Sequence, residues 1–175
     1  PKPGVTPVRR PRPYDCAFGE LGSIIDGVLE WAATHEFMGD AIPSFMITFA
    51  PDHFAALLGA EIVRSEEGRT NWVEPCLDSL DDVEITFQRD GHWWRRTVEC
   101  IERFRERCDG KLIITGTHLQ GSLDCLVALY GTSRFCWTSP SRLTRYTARF
   151  VRSMSPCTKS VARWPMSWTS TSGAA

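Results

Sequence analysis

No run of about 18 apolar residues occurs in the 175-residue chain, and no charged-then-apolar signal core opens it. The first absence excludes a membrane-spanning helix, and the second leaves no secretory leader to be read. Cys-x-x-Cys spacing is also missing. The seven cysteines are an odd number, and Cys100 and Cys125 fall on apolar helix faces, so reduced thiols in a cytoplasmic protein are expected rather than a disulfide framework. The chain is short for a complete eight-stranded α/β barrel, which needs roughly 250 residues. Its 42% hydrophobic content is nevertheless enough to build a core.

Charge of one sign is absent from the last quarter. All 21 acidic residues precede residue 133, together with 13 of the 20 Lys and Arg, whereas residues 133–175 keep seven basic residues and no acid. That segment also lacks Asn and Gln, yet it carries nine Ser, six Thr and three Trp. The break divides the chain into a Pro/Arg-rich leader over residues 1–16, a folded region over 17–132 and a basic tail over 133–175.

Residues 111–132, KLIITGTHLQGSLDCLVALYGT, organise what is present. Leu112, Ile113 and Ile114 form a short apolar run. A polar turn crowded with His118, Gln120, Ser122 and Asp124 follows. Leu123, Leu126, Val127 and Tyr130 then recur at helical spacing, and Gly131 stands at the C-cap position. This predicts strand, polar loop and helix, the unit of parallel α/β sheets and barrels, in which chemistry sits on loops leaving the carboxyl ends of strands. His118 is the expected proton-handling or substrate-contacting residue, with Gln120 and Asp124 as substrate contacts. Capping of the Leu123 helix by the same residues is the alternative.

Residues 39–60 repeat the pattern, with a strand predicted over 45–49, Pro51 at a helix start, Phe54, Ala55, Leu57 and Leu58 on that helix, and Gly59 closing it. Asp52 and His53 fall in its first turn, where surface or capping use is expected. Upstream, Ser23 is a plausible cap for a helix over 23–36. Residues 61–84 read as polar and broken, and the bunched acids Asp78, Asp81, Asp82 and Glu84 suit a solvated helix start better than a metal site. A helix over 92–108 should bury Trp94, Val98, Ile101, Phe104 and Cys108 and act as the crossover into the residue-111 strand.

This succession resembles the uroporphyrinogen decarboxylase superfamily, over roughly residues 39–132. The similar features are the L-L-G-A-E helix end at 57–61, which resembles the family's A-L-G-x-E, the x-E-P connection at 73–75, the long helix, and the strand whose following helix ends in a Gly-Thr turn. The resemblance implies the N-terminal part of a (β/α)8 barrel of parallel strands. It also implies cofactor-free decarboxylation of tetrapyrrole acetate side chains in porphyrin biosynthesis, with arginines gripping carboxylates and an aspartate binding pyrrole N–H groups. Arg9, Arg10 and Arg12 lie among prolines rather than in the family's glycine-arginine-tyrosine setting, and residues 44–47 hold no acid where the aspartate is expected. The superfamily's other branch implies a corrinoid-dependent methyltransferase with zinc held by His and Cys, for which Cys136 and Cys157 stand alone. The expected partner is thus a tetrapyrrole or corrinoid small molecule, with no membrane. Stacking of Trp137, Trp164 and Trp168 on nucleic acid is the non-enzymatic alternative.

A shifted reading frame accounts for the tail's composition. GC-rich codons for residues 134–147, read one frame over, permit Val-Leu-Leu-Asp-Leu-Thr-Glu-Pro-Pro-Asp-Ala-Val-His, and residues 161–171 permit Gly-Ala-Leu-Ala-Asp-Glu-Leu-Asp-Val-Asp. On that reading the tail is out of frame and poorly ordered, and the chain as written is inactive or weakly stable.

Overall fold

The computed structural model describes residues 1–65, 70–81, 85–118 and 121–162. After a 3-10 turn at Pro13–Ala17, helix α1 spans Leu21–Thr34. Its cap is Glu20, not Ser23: the Glu20 carboxylate accepts from the Gly22 and Ser23 backbone N–H groups at 2.7 and 2.6 Å. Those two bonds, that from Ser23 first, hold the Glu20 carboxyl below its usual range.

Strand β1 (Ser44–Met46) leads through a buried coil into helix α2 (His53–Leu57). Strands β2 (Glu61–Arg64) and β3 (Asn71–Glu74) follow, then helix α3 (His92–Cys108), strand β4 (Ile113–Thr115) and helix α4 (Ser122–Tyr130). The decisive pairing is β1 with β4. The two strands run parallel, with Ser44 opposite Ile113, Phe45 opposite Ile114 and Met46 opposite Thr115. Backbone bonds from Ile113 N to Pro43 O and from Ile47 N to Thr115 O, 2.9 and 3.0 Å, carry the ladder past both ends. A parallel pair needs a crossover, and α3 supplies it as the 92–108 pattern predicts.

The sheet's two faces are unlike. Phe45 is buried and stacks on Phe104 of α3, ring centres 4.9 Å apart and planes 8° from parallel. Ser44, Met46, Ile113 and Thr115 share the opposite face, where Met46 and Ile113 keep 38% and 37% of their surface in water. Among the described residues the parallel sheet has two strands and no closed barrel forms.

Two local expectations are corrected. Residues 61–74 are not merely polar and broken but an antiparallel pair, Glu61 opposite Glu74 and Ile62 opposite Val73. Burial of Ile62, Asn71 and Val73 compensates for setting two like charges opposite each other. The buried stripe of α3 is Trp93, Thr97, Cys100, Phe104 and Cys108: Phe104 and Cys108 are buried as expected, while in the first half of the helix the stripe lies one position earlier and Trp94, Val98 and Ile101 flank it. In the described part of the tail, helices α5 (Thr132–Cys136) and α6 (Pro140–Ala162) form, and Tyr146 and Phe150 are buried. The reason lies in spacing: Leu143, Tyr146 and Phe150 recur three and four residues apart, which gives α6 one apolar stripe to lay against α4. Residues 163–175, with Trp164 and Trp168, lie outside the described residues.

Candidate functional site

The carboxyl ends of β1 and β4 lie side by side because the strands are parallel and in register, so the segments leaving them, 47–52 and 116–118, are neighbours. The first segment is fixed from below. Ile47, Thr48, Phe49 and Ala50 are buried, Thr48 Oγ1 donates to Ala50 O at 3.0 Å, and Asn71 Nδ2 donates to Phe49 O at 2.7 Å.

His53 joins the two segments. Its ring is fully buried and stacks on Phe49 with centres 4.2 Å apart. Thr97 Oγ1 donates to Trp93 O at 2.6 Å, which leaves that oxygen as the acceptor for His53 Nε2–H at 3.0 Å. Nδ1 therefore carries the lone pair, and it accepts from Phe49 N–H at 3.2 Å and from the Thr117 hydroxyl at 2.6 Å. Burial pushes the imidazole down to about 3, and every polar position on the ring is filled. His53 is a neutral strut between α3 and the β4–α4 loop. It is not the surface or capping residue its place in a first turn suggests; the spacing of His53 to Leu57, one helical turn, is the sequence signal for its burial.

The residues singled out from sequence fall differently. His118 directly follows Thr117 and is exposed at the rim. Asp124 is exposed in the first turn of α4, its Oδ2 3.4 Å from where a side chain at Gly121 would begin. Gln120 lies outside the described residues. Behind this rim Cys125 is fully buried, and its thiol is pushed up to about 12, first by burial and then by the charges of Asp52, Cys76 and Asp124. Cys125 is consequently a protonated packing group and not a nucleophile, while its neighbours set two carboxylates, Asp52 and Asp124, at the same end of the sheet.

Among the described residues no group of three or more His, Cys, Asp or Glu side chains converges as a metal ion requires. None of the described helices is long and apolar enough to cross a membrane. No protein-family model, curated protein or solved structure matches this chain. An exposed imidazole, two carboxylates and a hydroxyl locked by a buried histidine can orient and exchange protons with a polar small molecule.

Proposed function

We propose that residues 17–132 are the first staves of a (β/α)8 barrel similar to the uroporphyrinogen decarboxylase superfamily. The carboxyl edge of β1 and β4 would be part of a site that binds a carboxylated tetrapyrrole for decarboxylation. The observation that carries this reading is the parallel, in-register pairing of β1 and β4 through the crossover α3. It is supported by the open face of that sheet, since parallel sheets bury both faces and Met46 and Ile113 face water here. In a barrel those side chains would point inward, where layers of apolar residues from neighbouring strands fill the centre.

Named roles follow from position. His118 handles a proton or contacts substrate at the rim. Asp124 and Asp52 offer acceptors for pyrrole N–H groups, the part the resemblance assigns to an aspartate that residues 44–47 do not supply. Gln120 is kept as a substrate contact on sequence grounds. No resident cofactor is required for this chemistry. Of residues 1–118, Asp52 and His118 are the groups offered at the rim; the further strands of a barrel would have to bring the remaining groups.

The test is release of labelled carbon dioxide from carboxyl-labelled uroporphyrinogen by the protein translated from the uninterrupted parent reading frame. Release that falls about a hundredfold or more with His118→Ala supports the reading, about 2.7 kcal/mol being the low end of what a positioned proton donor contributes. Methyl transfer from a methyl-corrinoid by a zinc-containing product, without carbon dioxide release, would overturn it in favour of the methyltransferase branch. The same gene sequence decides the frame of residues 133–175: codons able to encode the shifted peptides above support a frame change, and codons unable to do so remove it.

A further inference from the structure

Cys16 and Cys100 form a thiol pair that the candidate site does not use. Cys16 sits in the 3-10 turn at Pro13–Ala17, Cys100 on the buried stripe of α3, and both are fully shielded from solvent. Cys100 Sγ donates to the Cys16 carbonyl at 3.9 Å, across 84 positions of sequence, which sets the two residues against each other. The backbone around them is pinned from the same helix. Arg96, one turn before Cys100, donates from Nε to Cys16 O at 3.0 Å and from Nη2 to Gly19 O at 2.6 Å. The turn that carries Cys16 is thus fixed against α3 by bonds that involve neither sulfur.

We propose that Cys16 and Cys100 are a built-in redox pair, oxidised to an intramolecular disulfide by a low-molecular-weight disulfide and locking the N-terminal segment to α3. In the first step the Cys16 sulfur, as thiolate, attacks one sulfur of the small disulfide. A mixed disulfide forms and one small thiol leaves with the proton. The Cys100 sulfur then attacks the Cys16 sulfur, the protein disulfide forms, and the second small thiol leaves. Two protein thiols are oxidised by two electrons and one small disulfide is reduced to two thiols.

Burial and the neighbouring Cys100 thiol both raise Cys16 above the usual thiol range, the latter more, so the resting pair is protonated and slow to react. Attack requires the 13–17 turn to lift, and the rate should follow that opening rather than the chemistry at the sulfur. Among the other described cysteines, Cys76 and Cys136 are exposed and Cys108 and Cys125 are buried. Cys76 lies near enough to Cys125 to act on its thiol, so a Cys76–Cys125 bond is the competing product that the peptide map must distinguish.

The experiment treats the reduced full chain with oxidised glutathione, with and without sub-denaturing urea, then quenches with acid, alkylates and maps the peptides. Cleavage after Arg96 and Arg103 isolates Cys100 from Cys108. The expected result is a Cys16–Cys100 cross-link exceeding any other cysteine pair by at least about tenfold, forming faster in mild urea. The cross-linked chain should melt about 5–15 °C higher than the reduced chain, since the bond closes a long loop in the unfolded state. Cys16→Ser and Cys100→Ser should each abolish both effects. Glutathione adducts on Cys76 and Cys136 without the cross-link, or cross-links scrambled among the cysteines, would overturn the proposal. The wild-type peptide map decides even where a variant fails to fold.

Discussion

His53 Nδ1 and Thr117 Oγ1 stand 2.6 Å apart, a bond between groups 64 positions distant that ties the end of β1 to the end of β4. Removing the hydroxyl leaves a buried nitrogen with only the Phe49 N–H. Thr117→Val should therefore lower stability by about 1–3 kcal/mol, and Thr117→Ser by much less. Urea denaturation of the three proteins measures it, and equal midpoints for Val and wild type would contradict the bond.

The same ring sets an acid response. His53 titrates near 3 when folded against 6.5 as its ordinary value, so between those limits the unfolded chain binds the extra proton. Its contribution is complete above pH 6.5, and stability falls with acidification by at most about 1.4 kcal/mol per pH unit down to about pH 3. His53→Gln should flatten that slope while costing stability at pH 7. A variant whose stability falls as steeply between pH 6 and 4 as the wild type's would show that His53 is not the group responsible.

The Phe45–Phe104 stack fastens the parallel sheet to the crossover helix. Phe104→Ala should cost about 3–5 kcal/mol, and Phe104→Leu distinctly less because most of the apolar volume is kept. Chemical denaturation reads both. A cost below about 1 kcal/mol for the alanine variant would mean that this layer is not packed as described.

Helix α6 offers a separate test. Phe150 is buried against the remainder of the fold, and Tyr146 donates to Asp81 Oδ1 at 2.5 Å beside Arg142, whose Nη2 reaches Asp81 Oδ2 at 2.8 Å. Phe150→Ala should destabilise the chain by about 3–5 kcal/mol. Tyr146→Phe, which touches only a solvated pair of charges, should shift the midpoint little. No effect from Phe150→Ala would return residues 133–162 to an unpacked tail.

What could be read in advance tracks how local each signal is. The period of Leu123, Leu126, Val127 and Tyr130 and the glycine after it were sufficient for α4, and Gly131 has φ +94° with Pro75 Cγ 3.3 Å from where a side chain would begin. The strands were legible as short apolar runs, but their parallel pairing is a contact across 69 residues. Phe104 and Cys108 of α3 were legible, but the first half of its buried face was read one residue late because Trp93 and Trp94 are equally apolar. The choice between them is made by Thr97, whose hydroxyl is needed by His53. The β2–β3 pair was hidden by the polar residues 66–69 between Ile62 and Val73. For the candidate site, sequence pointed to the loop after β4 and to His118, Gln120 and Asp124 on it, and gave His53 no part. His53 was obscured because a five-residue helix is too short to show a period.

The parallel pairing of β1 and β4 is what everything else rests on, and proton NMR on the isotope-labelled chain measures it directly. Cross-strand contacts should connect residue 44 with 113, 45 with 114 and 46 with 115, all in the same chain direction. Contacts running in the opposite order, 44 with 115 and 46 with 113, would contradict the barrel reading and the site placed at its edge.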